Sequence, residues 1–225
     1  MHIEPGVVHG AKMVLAYATA AGAAGYSAKL IAEDLKTHAA ASFVVRSIVA
    51  TIAVFVFFEL LPHFPVGISE VHFILGTTIL LILGAAPAAV GLAAGLAIQG
   101  LFFAPSDLPM YFVNVTTLLV PLFAIHLMAQ KMLPKDIAYV DLTYVDVLKL
   151  SAAYQGGVVA WVAFWAFYGQ GVGAETLASV SSFGLAYMTI ILIEPLIDLA
   201  VLAGAKSMKG MRDSGLVTKR LYHPH

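Results

Sequence analysis

The chain begins Met1-His2-Ile3-Glu4-Pro5-Gly6, and a second histidine, His72, stands at the head of a long apolar stretch. An unblocked amino terminus followed directly by histidine is a metal chelator. The Met1 amine, the His2 backbone nitrogen and the His2 imidazole can close two fused rings around one cation. A fourth nitrogen completes a square plane, the geometry that Ni(II) and Cu(II) favour. Removal of an initiator methionine usually requires a small second residue, and His2 is bulky, so Met1 is expected to stay with its amine free. Residues 1–15 also lack the basic start of a secretory signal peptide. The chain has no cysteine, which excludes disulfides, thiolate zinc sites and iron–sulfur clusters; any metal must be held by nitrogen or oxygen.

These residues need a scaffold, and the composition says which kind. Of 225 residues, 60% are apolar and 11% charged, with a mean hydropathy of +0.91. Such a chain uses lipid as its solvent. No basic patch with interleaved aromatics is present, so nucleic acid is not an expected partner. Apolar runs predict spans over roughly 11–32, 40–61, 72–86, 87–104, 110–132, 148–168 and 174–204. Residues 72–104 are too long for one span; Gly84-Ala85-Ala86-Pro87 breaks the run into a tight hairpin of two short helices. The last run is too long for one straight crossing.

Basic residues set the expected topology. Lys29, Lys36 and Arg46 flank the first connection, Lys131, Lys135 and Lys149 the fifth, and Lys206, Lys209, Arg212, Lys219 and Arg220 the tail. The connections 62–71, 104–109 and 169–173 hold no Lys or Arg. This alternation predicts an all-α polytopic bundle of seven transmembrane helices, N-terminus outside and C-terminus inside. Lys12 is the exception. Residues 1–225 are read as one transmembrane domain, with a metal-binding segment over 1–10 and a short cytoplasmic tail over about 205–225. In this topology His2, His9, His63 and His72 fall outside, His38, His223 and His225 inside, and His126 near the inner end of its span. Small residues are patterned too. Ala16, Ala20, Ala24 and Ala28 run along span one with Gly22 and Gly25, and Gly91, Ala94 and Gly95 line span four. Both stripes suit close helix packing, either within the chain or against another subunit.

The segment Pro62-His63-Phe64-Pro65-Val66-Gly67-Ile68-Ser69-Glu70-Val71-His72 is expected to be a stiff outward loop that holds the fourth nitrogen, from His72. Pro5-Gly6 permits a sharp turn that brings the terminus back to it. The metal set is therefore Met1, His2 and His72, with His9, His63 and Glu70 as weaker candidates. Glu70 could orient the His72 ring or add an oxygen ligand. Binding must release protons, so affinity should fall below neutral pH. Intramembrane carboxylates are functional suspects as well: Glu59, and the i, i+4 pair Glu194 and Asp198, read either as a gating pair or as a structural pair bonded to a neighbouring helix.

These residues resemble a known family. Met1-His2-Ile3 with Gly6, Ser69 with His72, Leu83-Gly84, Gln99-Gly100-Leu101-Phe102-Phe103 and Asn114-Val115 are similar to the CbiM/NikM group, the substrate-binding membrane subunits of energy-coupling-factor (ECF) ABC transporters for cobalt and nickel. The resemblance covers most of residues 1–132. It implies a seven-span fold whose free N-terminus plugs into the bundle, and a cation held by the Met1 amine, both His2 nitrogens and the His72 imidazole. It also implies Ni2+ or Co2+ as transported ligand, a separate transmembrane coupling subunit, cytoplasmic ATPase subunits, and a multi-pass location in the bacterial inner membrane. The chain has no phosphate loop of its own, so it is not expected to be an enzyme. One departure stands out: family members usually continue the ligand histidine with Pro-Thr-Gly, and here Phe73-Ile74-Leu75-Gly76 follows. That substitution motivates the alternative reading, an accessory or structural subunit of another membrane complex that moves no metal. A membrane metalloenzyme is a third reading, but Glu70-Val71-His72 has the wrong spacing for one helical face.

Overall fold

A computed structural model of the chain describes residues 3–134 and 136–224; Met1, His2, Lys135 and His225 lie outside the described residues. The architecture is a helical bundle. Its helices are α1 (Met13–Thr37), α2 (Ala40–Phe55), α3 (Gly76–Leu83), α4 (Ala85–Phe102), α5 (Tyr111–Met132), α6 (Tyr144–Gln170) and α7 (Ala174–Ser207). A wider π-helical turn, Val56–Leu60, continues α2. Among the described residues, five helical segments are long and apolar enough to cross a bilayer: Ala40–Leu60, Ala85–Phe102, Pro105–Met132, Tyr144–Gln170 and Ala174–Ser207. Their outward faces are apolar, as at Val44, Ile48 and Ile52 on α2 and Leu185, Leu192 and Leu196 on α7. A face of that kind belongs against lipid.

Two features depart from the sequence expectation. The connection over 62–71 is not a plain loop: β1 (Phe64–Val66) pairs antiparallel with β2 (Ser69–Val71), with Val66 opposite Ser69. Gly67 takes φ +62° at the two-residue turn, which suits a tight hairpin, and a Cβ there would lie 2.2 Å from the Ser179 carbonyl oxygen of α7. The predicted span over 72–86 is also shorter as helix. Residues 72–75 precede α3, which has 8 residues and measures only about 12 Å. The break at Gly84 falls where the sequence places it, and Pro87 sits in the first turn of α4, where a missing N–H costs nothing.

Small residues set the closest helix contact. A Cβ on Gly91 would lie 2.4 Å from the Ala50 Cβ, so α4 rides directly on α2. The span-four stripe therefore serves packing within the chain. The span-one ladder divides: Ala16 and Ala20 are buried, Ala24 and Ala28 exposed.

At the end of the bundle that carries the C-terminal tail, the Arg46 guanidinium is fully buried and forks onto Asp34, at 3.1 and 2.6 Å. It also donates to the Leu83 carbonyl at 2.6 Å, joining α1, α2 and the last turn of α3. The tail closes over this junction through Thr218 N–H to the Ile82 carbonyl (2.8 Å) and Lys219 N–H to His38 Nε2 (3.2 Å). Burial pushes the His38 imidazole below its usual pKa, outweighing Asp34, so the ring is neutral and able to accept. Removing one partner of a buried ion pair strands the other charge. Asp34→Ala is expected to lower the unfolding free energy in detergent by about 3–5 kcal/mol. Lys29→Ala, which breaks the exposed Lys29–Glu33 pair, should change it by about 1 kcal/mol or less.

Candidate metal centre

The N-terminal segment is folded into the bundle. Pro5 and Gly6 form the expected turn: Gly6 has φ +92° and the Val7 N–H donates to the Glu4 carbonyl at 3.2 Å. Beyond the turn, Val7 and Val8 are buried, and Ile3 is fully buried on its other side. Ile3 forms an antiparallel bridge with Ser69, and the Glu4 N–H reaches the Ile68 carbonyl at 3.3 Å. The segment thus docks on the hairpin through one bridge beside β2. The Ile3 N–H also donates to Asn114 Oδ1 at 2.8 Å, at the start of α5.

The groove that receives this segment is shaped by α6. A Cβ on Gly169 would lie 2.0 Å from the Val7 carbonyl oxygen, so backbone meets backbone there. The last carbonyls of a helix lack intrahelical partners. Lys12 Nζ supplies one, donating to the Gly169 carbonyl at 2.7 Å. This contact explains why Lys12 breaks the charge alternation: it caps the carboxyl end of α6.

His72 follows β2 directly and has no exposed surface. Its Nε2 lies 2.9 Å from Glu70 Oε2. A carboxylate only accepts, so Nε2 carries the proton in that pair. The ring stacks on His63, with centroids 4.8 Å apart and planes 14° apart, and tilts against Phe58 at 5.4 Å. His63, Glu70 and His72 are therefore neighbours, as the sequence suggests. His9 is not among them: it is exposed, ahead of a short 3-10 turn over Gly10–Lys12. Met1 and His2, the core of the expected chelate, lie outside the described residues. Among the described residues, no three His, Asp or Glu side chains converge on a point that could hold a metal ion.

The other polar groups sort by position. Gln99 Nε2 donates to the Phe58 carbonyl at 3.3 Å and to Glu59 at 3.2 Å, tying α4 to the turn beneath His72. His38, His126 and His223 gather at the opposite end, around a cavity of about 670 Å³ that is also lined by Lys219 and Arg220. The i, i+4 pair on α7 is hydrogen-bonded to neighbouring elements. Glu194 Oε1 accepts the Ile74 N–H and the Leu75 N–H (the latter at 3.1 Å), Glu194 Oε2 accepts from Gln155, and Asp198 accepts from Thr78.

Sequence reasoning missed the roles of Asn114, Gly169 and Lys12. A polar amide inside an apolar helix start and a lysine out of charge register were the available signals. Gly169 offered none, because its requirement comes from a segment more than a hundred residues away in sequence.

The family described as the cobalt uptake substrate-specific transmembrane region, CbiM, matches residues 2–210. No curated protein and no solved structure matches the chain significantly. The match takes in the folded-back N-terminal segment from its second residue, the hairpin with His72 and all of the helices that surround them, and the chain belongs to the CbiM family of membrane proteins for cobalt uptake.

Proposed function

We propose that the chain is the substrate-binding membrane subunit of an ECF-type ABC transporter that takes up Co2+ or Ni2+. The cation is held by the Met1 amine, the His2 backbone and ring nitrogens, and His72. The observation that carries this reading is the antiparallel bridge between Ile3 and Ser69. Antiparallel pairing matches falling numbers on one strand with rising numbers on the other. Continued by two residues, the register leads from Ile3 toward the start of the chain and from Ser69 toward His72. With Nε2 turned to Glu70, a neutral His72 ring offers Nδ1 as its lone-pair nitrogen, and Glu70 acts as the orienting carboxylate behind it.

The topology we propose has seven crossings, N-terminus outside and C-terminus inside, in one transmembrane domain. Residues 72–83 make the third crossing as four residues ahead of an eight-residue helix. Arg46 near the start of α2 meets Leu83 at the end of α3, while Glu59 near the end of the second crossing meets Gln99 near the end of α4. These contacts put the ends of neighbouring crossings side by side. Energy comes from partners: a transmembrane coupling subunit and cytoplasmic ATPases in the bacterial inner membrane. The exposed half of the α1 small-residue ladder suits close approach by the coupling subunit. The alternative of a non-transporting accessory subunit arose from Phe73-Ile74-Leu75. Ile74 and Leu75 are buried in the core, so in the reading proposed here that departure alters what supports His72.

Binding of Ni2+ to the purified chain, measured by calorimetry with the native terminus and again with one residue added ahead of Met1, tests this directly. The added residue relocates the amine and should weaken binding by more than about 100-fold, beyond what outer contacts contribute. His72→Ala should do the same, His63→Ala should cost no more than about 10-fold, and His9→Ala should cost nothing. Unchanged affinity with a blocked or extended terminus would rule the chelate out. Gly169→Val, which forces Val7 away from α6, should also weaken Ni2+ binding although residue 169 offers no ligand; wild-type affinity in that variant would mean that seating of residues 3–8 is irrelevant to the site.

A further inference from the structure

We propose that Glu194 is a positioning residue for His72: from α7 it latches the backbone that carries the imidazole and so sets where the fourth nitrogen stands. The inference deepens the metal-uptake reading and rests on it for the role of His72. Glu194 is fully buried, and its partners are specific. Oε1 accepts two successive backbone N–H groups, from Ile74 and Leu75, two and three residues beyond His72. Oε2 accepts the Gln155 side-chain amide from α6. One turn further along α7, Asp198 accepts the Thr78 hydroxyl, a second tie to α3.

The backbone needs this hold. The leading N–H groups of a helix have no intrahelical acceptor, and α3 has no side-chain cap of its own. Leu75, the residue before the helix, stands at φ +51°, a left-handed conformation that non-glycine residues adopt at a cost. A carboxyl oxygen that accepts the Leu75 N–H offsets that cost. An unpaired carboxylate in an apolar bundle is expensive; three donors make this one tolerable. Glu70 orients the His72 ring from one side, while Glu194 fixes its main chain from the other.

The test uses the full chain with its native terminus in detergent, as Glu194→Ala, Glu194→Gln and Glu194→Asp. Glutamine keeps an acceptor for Ile74 and Leu75, and its new NH2 can meet Gln155 Oε1, which has no partner among the described residues, once that amide flips. Two quantities are read: hydrogen exchange of the 73–77 amides without metal, and Ni2+ affinity with its visible ligand-field band. Glu194→Ala should speed exchange over 73–77, weaken Ni2+ binding by about 10–100-fold and shift the band; Glu194→Gln should restore all three. If the alanine variant does not fold, Glu194→Asp decides, since it keeps the carboxyl group but withdraws it by one methylene and should show faster exchange and weaker binding than wild type. Wild-type exchange and affinity in a folded alanine or aspartate variant overturn the proposal, as does a folded glutamine variant that fails as fully as alanine. A wild-type chain that binds no Ni2+ while Glu194→Ala still frees the 73–77 amides would sink the metal reading and leave the latch standing.

Discussion

An eight-residue helix is too short to hold itself together, since helix nucleation outweighs so few hydrogen bonds. α3 is such a helix, and both of its ends are held by buried polar side chains. At the amino end, Glu194 takes the Ile74 and Leu75 N–H groups; at the carboxyl end, Arg46 takes the Leu83 carbonyl. Each is itself partnered, the Arg46 charge by Asp34 and the Glu194 carboxyl by the Gln155 amide. Charge inside an apolar bundle survives only with such compensation. The outcome is a short rigid strut whose first backbone atoms follow directly on His72.

From that strut the remaining geometry follows in sequence order. β2 ends at Val71, so the hairpin and the strut share one fixed corner at His72. The free edge of β2 is the template on which Ile3 docks. Asn114 takes the Ile3 N–H, and the bare backbone at Gly169 leaves room for Val7. Lys12 then closes the groove on the carboxyl end of α6. Residues 3–8 are held by contacts with three separate elements, β2, α5 and α6, the kind of preorganisation that a transition-metal site needs.

Much of this was legible in the sequence because it depends on local chemistry. Helix boundaries followed the apolar runs, the break at Gly84 followed from Gly and Pro, and the turn at Pro5-Gly6 from the same residues. The closeness of His63, Glu70 and His72 followed from their shared segment. What failed to show depends on distant partners. β1 and β2 have three residues each, and Pro65 argues against a strand until its edge position is known. The span over 72–86 read as continuous helix because nothing nearby announces that Glu194, about 120 residues later, will claim the Ile74 amide. His9 shares its side of the sequence with His2 but is exposed, since the Pro5-Gly6 turn carries it away. The glycine stripe of α4 and the alanine ladder of α1 look alike in sequence; only packing shows that the first is consumed by α2 and the second is half exposed.

The central claim is that the leading amine, His2 and His72 share one cation. X-ray absorption at the nickel edge of the loaded, native-terminus chain tests the coordination itself. The account predicts a planar shell of four nitrogens with imidazole scattering, the arrangement that a terminal amine, a deprotonated amide and two rings impose on Ni(II). A six-coordinate, oxygen-rich shell would contradict it.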